Sequence, residues 1–260
     1  MPDNHNSTFI NESQRIVACI LDIGELLLTS GAEVMRVEDT ITRLCDAYGF
    51  VSSDVLTILS SIILTATAAD GDIITQTRRI KSRDTNLIRI ERLNALSRRV
   101  TADPLPSDAL SLAIEDAARV PTYARHWIFL AYGFNAAVFT LFFGGTMADF
   151  LPSFLAGMGI YIYLQIGGRF RMNSILLNTI CSALMALSVV GMHALGFGQH
   201  SDKIVIGNIM LLIPGLALTT SLRDLINGDM LSAIIGFLEA LLKALAIAIG
   251  AAAILTRFGG

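Results

Sequence analysis

Two hydrophobic rhythms divide the chain. Through roughly the first 120 residues, apolar positions recur at helical or strand spacing with charges between them; beyond residue 126 they run almost unbroken. Residues 14–30 place Ile16, Ile20, Ile23 and Leu27 on one helical face, and Gly31 follows as a stop. Residues 32–48 carry Val34, Val37, Ile41, Leu44 and Tyr48 at amphipathic spacing, with Glu33–Arg36 and Asp39–Arg43 pairs outside and Gly49 at the end. The run 55–66 is β-branched and far shorter than the about 20 residues with which a helix crosses a bilayer. With Asp70-Gly71-Asp72 behind it, it predicts a strand entering a hairpin, with 73–79 returning. A further strand is expected at 87–91 and a helix at 92–100. After the break at Pro104 and Pro106, Ser107 is the expected cap of a helix that stops before Pro121. Grouped strands of this kind predict a small soluble α+β domain over 13–120, behind a disordered N-terminus at 1–12.

Five apolar segments follow, at 127–145, 148–166, 174–197, 204–222 and 231–255, each long enough to cross a bilayer. Residues 121–260 are therefore expected to form a membrane α-helical bundle of about five transmembrane helices. Trp127, Tyr161 and Tyr163 fall near the expected interfaces, where aromatic anchors sit. Arg119, Arg125, Arg169, Arg171 and Arg223 place the basic loops on one side, so the N-terminus is read as cytoplasmic. An odd number of spans then puts the C-terminus outside the inner membrane of the cell.

Charge sharpens the same division. Of 41 Asp, Glu, Lys and Arg residues, 30 lie in 1–126 and 11 in 127–260, so the first part has globular composition and the second suits lipid. The formal net charge of −3 has no basic stripe behind it, which argues against nucleic acid as a partner. Cys19, Cys45 and Cys181 show no metal or redox spacing and read as buried thiols; no metal or other cofactor is expected. The polar start lacks the apolar core of a signal peptide, so the N-terminal domain is expected in the cytosol.

Candidate chemistry concentrates late in the chain. Pro214-Gly215 inside the fourth apolar segment removes a backbone hydrogen bond. In lipid such a break needs protein or a water-filled cavity around it, the setting of many transporter sites. Asp224 and Asp229 lie in the polar turn that follows and could gate or relay protons; a solvated turn is the plainer alternative. Glu239 and Lys243, spaced i, i+4 in the fifth segment, share a helix face as a pathway pair or a structural one. His193, Asn135, Asn178 and Asn208 read as helix-packing groups. Zinc-protease, serine-hydrolase and phosphate-loop motifs are absent, and Asn227-Gly228-Asp229 lacks the preceding glycine of an intramembrane aspartyl protease, so an enzyme is not expected.

The order of several short motifs resembles the threonine/serine exporter family in its split, two-component form. They are Leu27-Leu28-Thr29-Ser30-Gly31-Ala32-Glu33 with Arg36 and Glu38, the strand before Asp70-Gly71-Asp72, Thr77-Arg78-Arg79, and Leu211-Leu212-Ile213-Pro214-Gly215 followed by Asp224 and Gly228. The resemblance covers nearly the whole chain. It implies a secondary exporter of threonine and serine or of small dicarboxylates such as succinate, and proton coupling is expected with it. This chain resembles the larger component, whose partner is a second, small five-span membrane subunit; a homo-oligomer is compatible with either. Glu33, Arg36 and Glu38 are then candidates for gating from the cytosolic domain, with helix-surface ion pairing as their alternative. A membrane receptor or assembly protein with a partner-binding cytosolic domain is the competing function.

Overall fold

The computed structural model describes residues 5–121, 123–170 and 172–258, which leaves Arg171 outside the described residues. The chain forms two compact units. One comprises residues 1–121 and 217–237, the other 122–216 and 238–260.

In the first unit, α1 (His5–Thr29) and α2 (Val34–Ala47) bury the faces that their periodicity marks. Ile20, Ile23, Leu27, Val34, Val37, Ile41 and Leu44 are all at most 1% exposed. Helix α1 begins within the stretch read as disordered. Burying each Ile or Leu contributes about 1.5–3 kcal/mol, so these two stripes anchor the core. Gly31 and Gly49 end the helices at positive φ, and the Tyr48 hydroxyl donates to the Leu105 carbonyl at 2.7 Å.

A three-stranded antiparallel meander follows: β1 (Ser52–Ile58), β2 (Ser61–Thr67) and β3 (Ile73–Arg79), in that order across the sheet. The single strand expected at 55–66 is thus two strands, with Ile58 opposite Ser61 across a two-residue connection. The polar signal at this turn is weak, Ser60 beside Leu59, because Leu59 is buried. Its side chain lies beside Gly236, whose segment belongs to the same unit. In β2, Ile62, Leu64 and Ala66 alternate into the core.

The strand expected at 87–91 is instead the first turn of α3 (Leu87–Ala102). Five alternating residues satisfy both periods. The Asn86 side chain caps the helix by accepting from the Arg89 N–H at 3.0 Å, and Leu93, Leu96 and Val100 carry its buried face. Helix α4 (Ser107–Ala118) starts one residue earlier than expected, with Pro106 in the N-cap position. Ser107 turns its N–H and hydroxyl to Glu12, at 3.1 and 3.0 Å.

The second unit holds α5 (Arg125–Phe142), α6 (Met147–Arg169), α7 (Ser174–Ala194), α8 (Ser201–Ile209) and the larger part of α10 (Met230–Phe258). Among the described residues, three helices, α6, α7 and α10, are long and apolar enough to cross a membrane. The first apolar segment forms α5, which is not among them. The fourth is not one helix: α8 ends at Ile209, and α9 (Gly215–Ile226) begins after a non-helical interval. Large apolar side chains such as Leu155, Ile166, Leu184, Leu187, Leu245 and Ile249 are exposed on the long helices, as lipid-facing surfaces require.

Inside this unit the helices meet through small residues. A Cβ on Gly157 would strike Ala136, and one on Gly207 would come within 2.5 Å of the Thr140 nitrogen. Helices α5 and α8 therefore touch backbone to backbone at Gly207. Gly207→Ala is expected to force them apart and cost about 1–3 kcal/mol. Thermal unfolding of the detergent-purified protein checks this; an unchanged midpoint would show that the contact can give.

Candidate functional site

The first unit gathers the sequence-predicted carboxylates into one cluster. Helix α2 lacks a side-chain cap from its own N-cap residue, Glu33. The Asp224 carboxylate of α9 stands there instead, against the backbone N–H of Val34, the first residue of α2. A helix N-terminus is a favourable place for a negative charge. At the N-cap itself, Glu33 pairs with Arg36 at 3.7 Å and accepts a hydrogen bond from Arg223. Further along α2, Glu38 accepts from the Thr57 N–H at 2.7 Å. Asp229 is close enough to act on both Glu38 and Asp224. Gly228, at φ +95°, turns the chain between α9 and α10, and Asp229 donates its N–H to the Asp224 carbonyl at 2.9 Å.

The electrostatics of this cluster follow from burial. Asp224 is 3% exposed, and its Oδ1 has no hydrogen-bond partner among the described residues. Burial pushes its carboxyl up to about 6. The Val34 N–H works against this, the charges of Asp229 and Glu33 reinforce it, and Arg83 opposes it. Burial also raises the Glu38 carboxyl; the Thr57 N–H works against that and Asp229 adds to it. Asp224 can therefore take up and release one proton under mildly acidic conditions, and its protonation changes the charge held at the start of α2.

Two groups treated separately in the sequence thus meet: Asp224 and Asp229 with Glu33, Arg36 and Glu38. Arg223, read from the sequence as a loop charge that orients the membrane segments, is the cation that ties Glu33 to α9. No short-range pattern could have paired it, since the two residues are 190 positions apart.

The second unit holds the other predicted residues. Pro214 lies in the interval between α8 and α9, and Gly215 opens α9. The end of α8 tightens there: Leu211 and Leu212 bond three residues back, to Asn208 and Ile209, and Gly215 bonds to Ile213. Glu239 and Lys243 form the expected i, i+4 pair at 2.8 Å. Asn208 bridges helices as read, donating to Ser153 at 2.9 Å. Asn135 and Asn178 make no side-chain hydrogen bond among the described residues.

The sequence reading missed the polar centre of this unit. Asp149 is fully buried and accepts from Thr146, from the N–H groups of Gln199 and His200, and from His200 Nδ1, between 2.6 and 2.9 Å. Thr146-x-x-Asp149 is a capping box, the one local signal that could have found it. Beside it, Thr140 donates to the Ala136 carbonyl and lies 2.7 Å from Ser153. The proton direction is then set: Asn208 donates to Ser153, and Ser153 donates to Thr140. Asn208 Oδ1 is left without a partner among the described residues.

Comparison with known proteins gives this arrangement its context. The family model described as "Putative threonine/serine exporter" matches residues 18–258. The chain is 24% identical over 243 residues to the "Probable threonine/serine exporter" of Mycobacterium tuberculosis, covering 92% of this chain and 45% of that protein. It is 23% identical over 227 residues to the "Threonine/serine exporter" of Corynebacterium glutamicum, covering 85% of this chain and 46% of that one. This chain therefore spans less than half the length of both. With the "Probable succinate transporter subunit YjjP" of Klebsiella aerogenes it shares 24% identity over 253 residues, 96% of each chain. No solved structure matches. Three membrane-length helices and a match running almost from end to end agree: this is a multi-pass membrane protein, and it belongs to the threonine/serine exporter family.

Proposed function

We propose that the chain is one subunit of a secondary exporter of small hydrophilic metabolites, driven by protons and completed by a second, small five-span membrane subunit. The observation that carries this is the pattern of coverage. The chain matches a relative named as a subunit over 96% of both lengths, and matches two named exporters over less than half of theirs. The relative matched end to end is itself named a transporter subunit, which supports a complement on a second chain. Five spans, with the fourth interrupted at Pro214-Gly215, set a cytoplasmic N-terminus and an outside C-terminus in the inner membrane. A partner unit of opposite orientation then makes the inverted repeat of alternating-access transporters.

In this reading the substrate pathway runs past the Pro214-Gly215 interruption and the Glu239–Lys243 pair. Asp224 is the proton-titrating group, with Asp229, Glu33, Arg36 and Glu38 around it as the gate. Support comes from the burial of Asp224, its unpaired oxygen and its raised pKa. Threonine and serine, or a dicarboxylate such as succinate, are the candidate substrates, after the names of the relatives. The test is efflux from cells that express the chain with and without a five-span partner. Export of threonine, serine or succinate that needs both proteins and collapses with the proton gradient is expected. Absence of efflux above control for all three would overturn the reading.

A further inference from the structure

In the first unit, a cleft of about 330 Å³ opens between α2 and α3, beginning at Asp39, the residue after Glu38. Its volume lies at the low end for ligand pockets, which run from about 300 to 1,000 Å³, so it suits a metabolite of few atoms. The residues that line it are all polar, and their carbon stems share the wall with their polar atoms. From α2 come Asp39 and Arg43, held to each other at 2.9 Å. From α3 come Asn94 and Arg98, one turn apart on the same face.

The hydrogen-bond inventory says what this cleft can take. Thr40, Ser97 and Thr101 each donate their hydroxyl proton to a carbonyl of their own helix, at 2.8, 3.0 and 2.8 Å, and keep only acceptor capacity. Asp39 and Arg43 cancel in charge. Neither the Arg98 guanidinium nor the Asn94 amide makes a side-chain hydrogen bond or ion pair among the described residues. The open donors are thus the planar Arg98 fork, the Asn94 amide and the terminal nitrogens of Arg43, of which only Nε reaches Asp39, and the net charge of the lining is positive. A guanidinium fork matches a carboxylate in shape as well as charge. The hydroxyl oxygens nearby remain able to accept from a ligand's ammonium or hydroxyl.

We propose that this cleft binds a small carboxylate metabolite from the cytosol, with Arg98 as its principal contact and Asn94 beside it, and that the bound ligand regulates the exporter through α2. The regulatory part rests on the proposed export function; the binding part does not. Helix α2 is the shared element: its side chains line the cleft, and its first N–H faces Asp224. A ligand that braces α2 against α3 bears on the same helix that the Asp224 carboxylate holds.

The test uses the full chain, purified in detergent, and reads backbone hydrogen exchange along α2 and α3 while L-threonine, succinate or inorganic phosphate is added. Slowed exchange at 94–101 with threonine or succinate is expected, and which of the two protects identifies the ligand. Arg98→Gln, a change on an exposed side chain, should weaken that response at least tenfold in ligand concentration, and Arg98→Lys should recover part of it. Equal protection in Arg98→Gln, no protection by either carboxylate, or equal protection by phosphate would each overturn the assignment. Because the readout needs no transport, a failed efflux assay leaves the binding result standing, and the converse also holds.

Discussion

On the proposed function, Asp224→Asn is expected to abolish export, and whatever the function it should make the protein more stable at neutral pH. The side chain keeps its shape and can still accept from the Val34 N–H; the change removes the charge and puts an amide NH2 where Oδ1 has no partner among the described residues. In the folded protein the carboxyl sits at about 6, against 3.8 for an ordinary aspartate. That gap of roughly two pH units corresponds to about 3 kcal/mol, at about 1.4 kcal/mol per unit. A raised carboxyl pKa means that the folded state holds its proton more tightly than the unfolded one. The penalty is therefore fully present above pH 6, shrinks as pH falls through 6, and vanishes below 3.8. The natural protein should gain stability on acidification from pH 7.5 to 5. The Asn variant should melt several degrees higher at pH 7.5, and the two should converge towards pH 4. Thermal unfolding across that range, with efflux measured alongside, separates the roles. Full efflux by a correctly inserted Asn variant would remove Asp224 from the coupling. A variant less stable at pH 7.5 would mean that the charge at the start of α2 is a net stabiliser.

The second large effect lies in the other unit. Asp149→Ala is expected to cost on the order of 3–5 kcal/mol, because it strips a buried carboxylate from several donors at once. The N–H groups of Thr146, Gln199 and His200 would lose their acceptor, along with the Thr146 hydroxyl and His200 Nδ1. Gly198, just before this loop, sits at φ +85° with Asp149 Oδ1 3.4 Å from where a Cβ would stand, so the loop has little freedom to find other partners. Thr146→Ala removes only the hydroxyl half of the capping box and should cost about 1 kcal/mol. A thermal shift for Asp149→Ala no larger than that for Thr146→Ala would show that the 199–200 loop is held by something else.

These two carboxylates illustrate why the candidate site was half legible. Asp224 stood out in the sequence because it follows a broken apolar segment, where charge is rare and costly. Its partners did not: Val34 and Glu33 belong to an amphipathic helix near the other end of the chain, and their own pattern explains them fully as a core face and a surface pair. Asp149 was passed over because it sits at the edge of an apolar segment, where a lone acid reads as an interface residue. His200, which gives it meaning, is 51 positions away. The turn at Leu59 and Ser60 and the first turn of α3 failed for local reasons. A buried turn keeps its apolar residues, and five alternating positions do not separate a strand from a helix.

What the sequence determined by itself was local and periodic. The apolar faces of α1 and α2, the Asp70-Gly71-Asp72 hairpin, and the long apolar runs of α6, α7 and α10 each follow from spacing along one element, because burial and lipid both select residues at the period of the backbone. The Pro214-Gly215 interruption was equally local, since a proline cannot continue the ladder of hydrogen bonds. The tertiary structure alone decided that residues 217–237 join the first unit, and so that Asp224 and Arg223 meet the start of α2. It also decided that Asp149 is bound rather than free. Such meetings depend on which surfaces pack after the elements form. A hydrogen bond between residues far apart in the chain leaves no period in either segment from which it could be read.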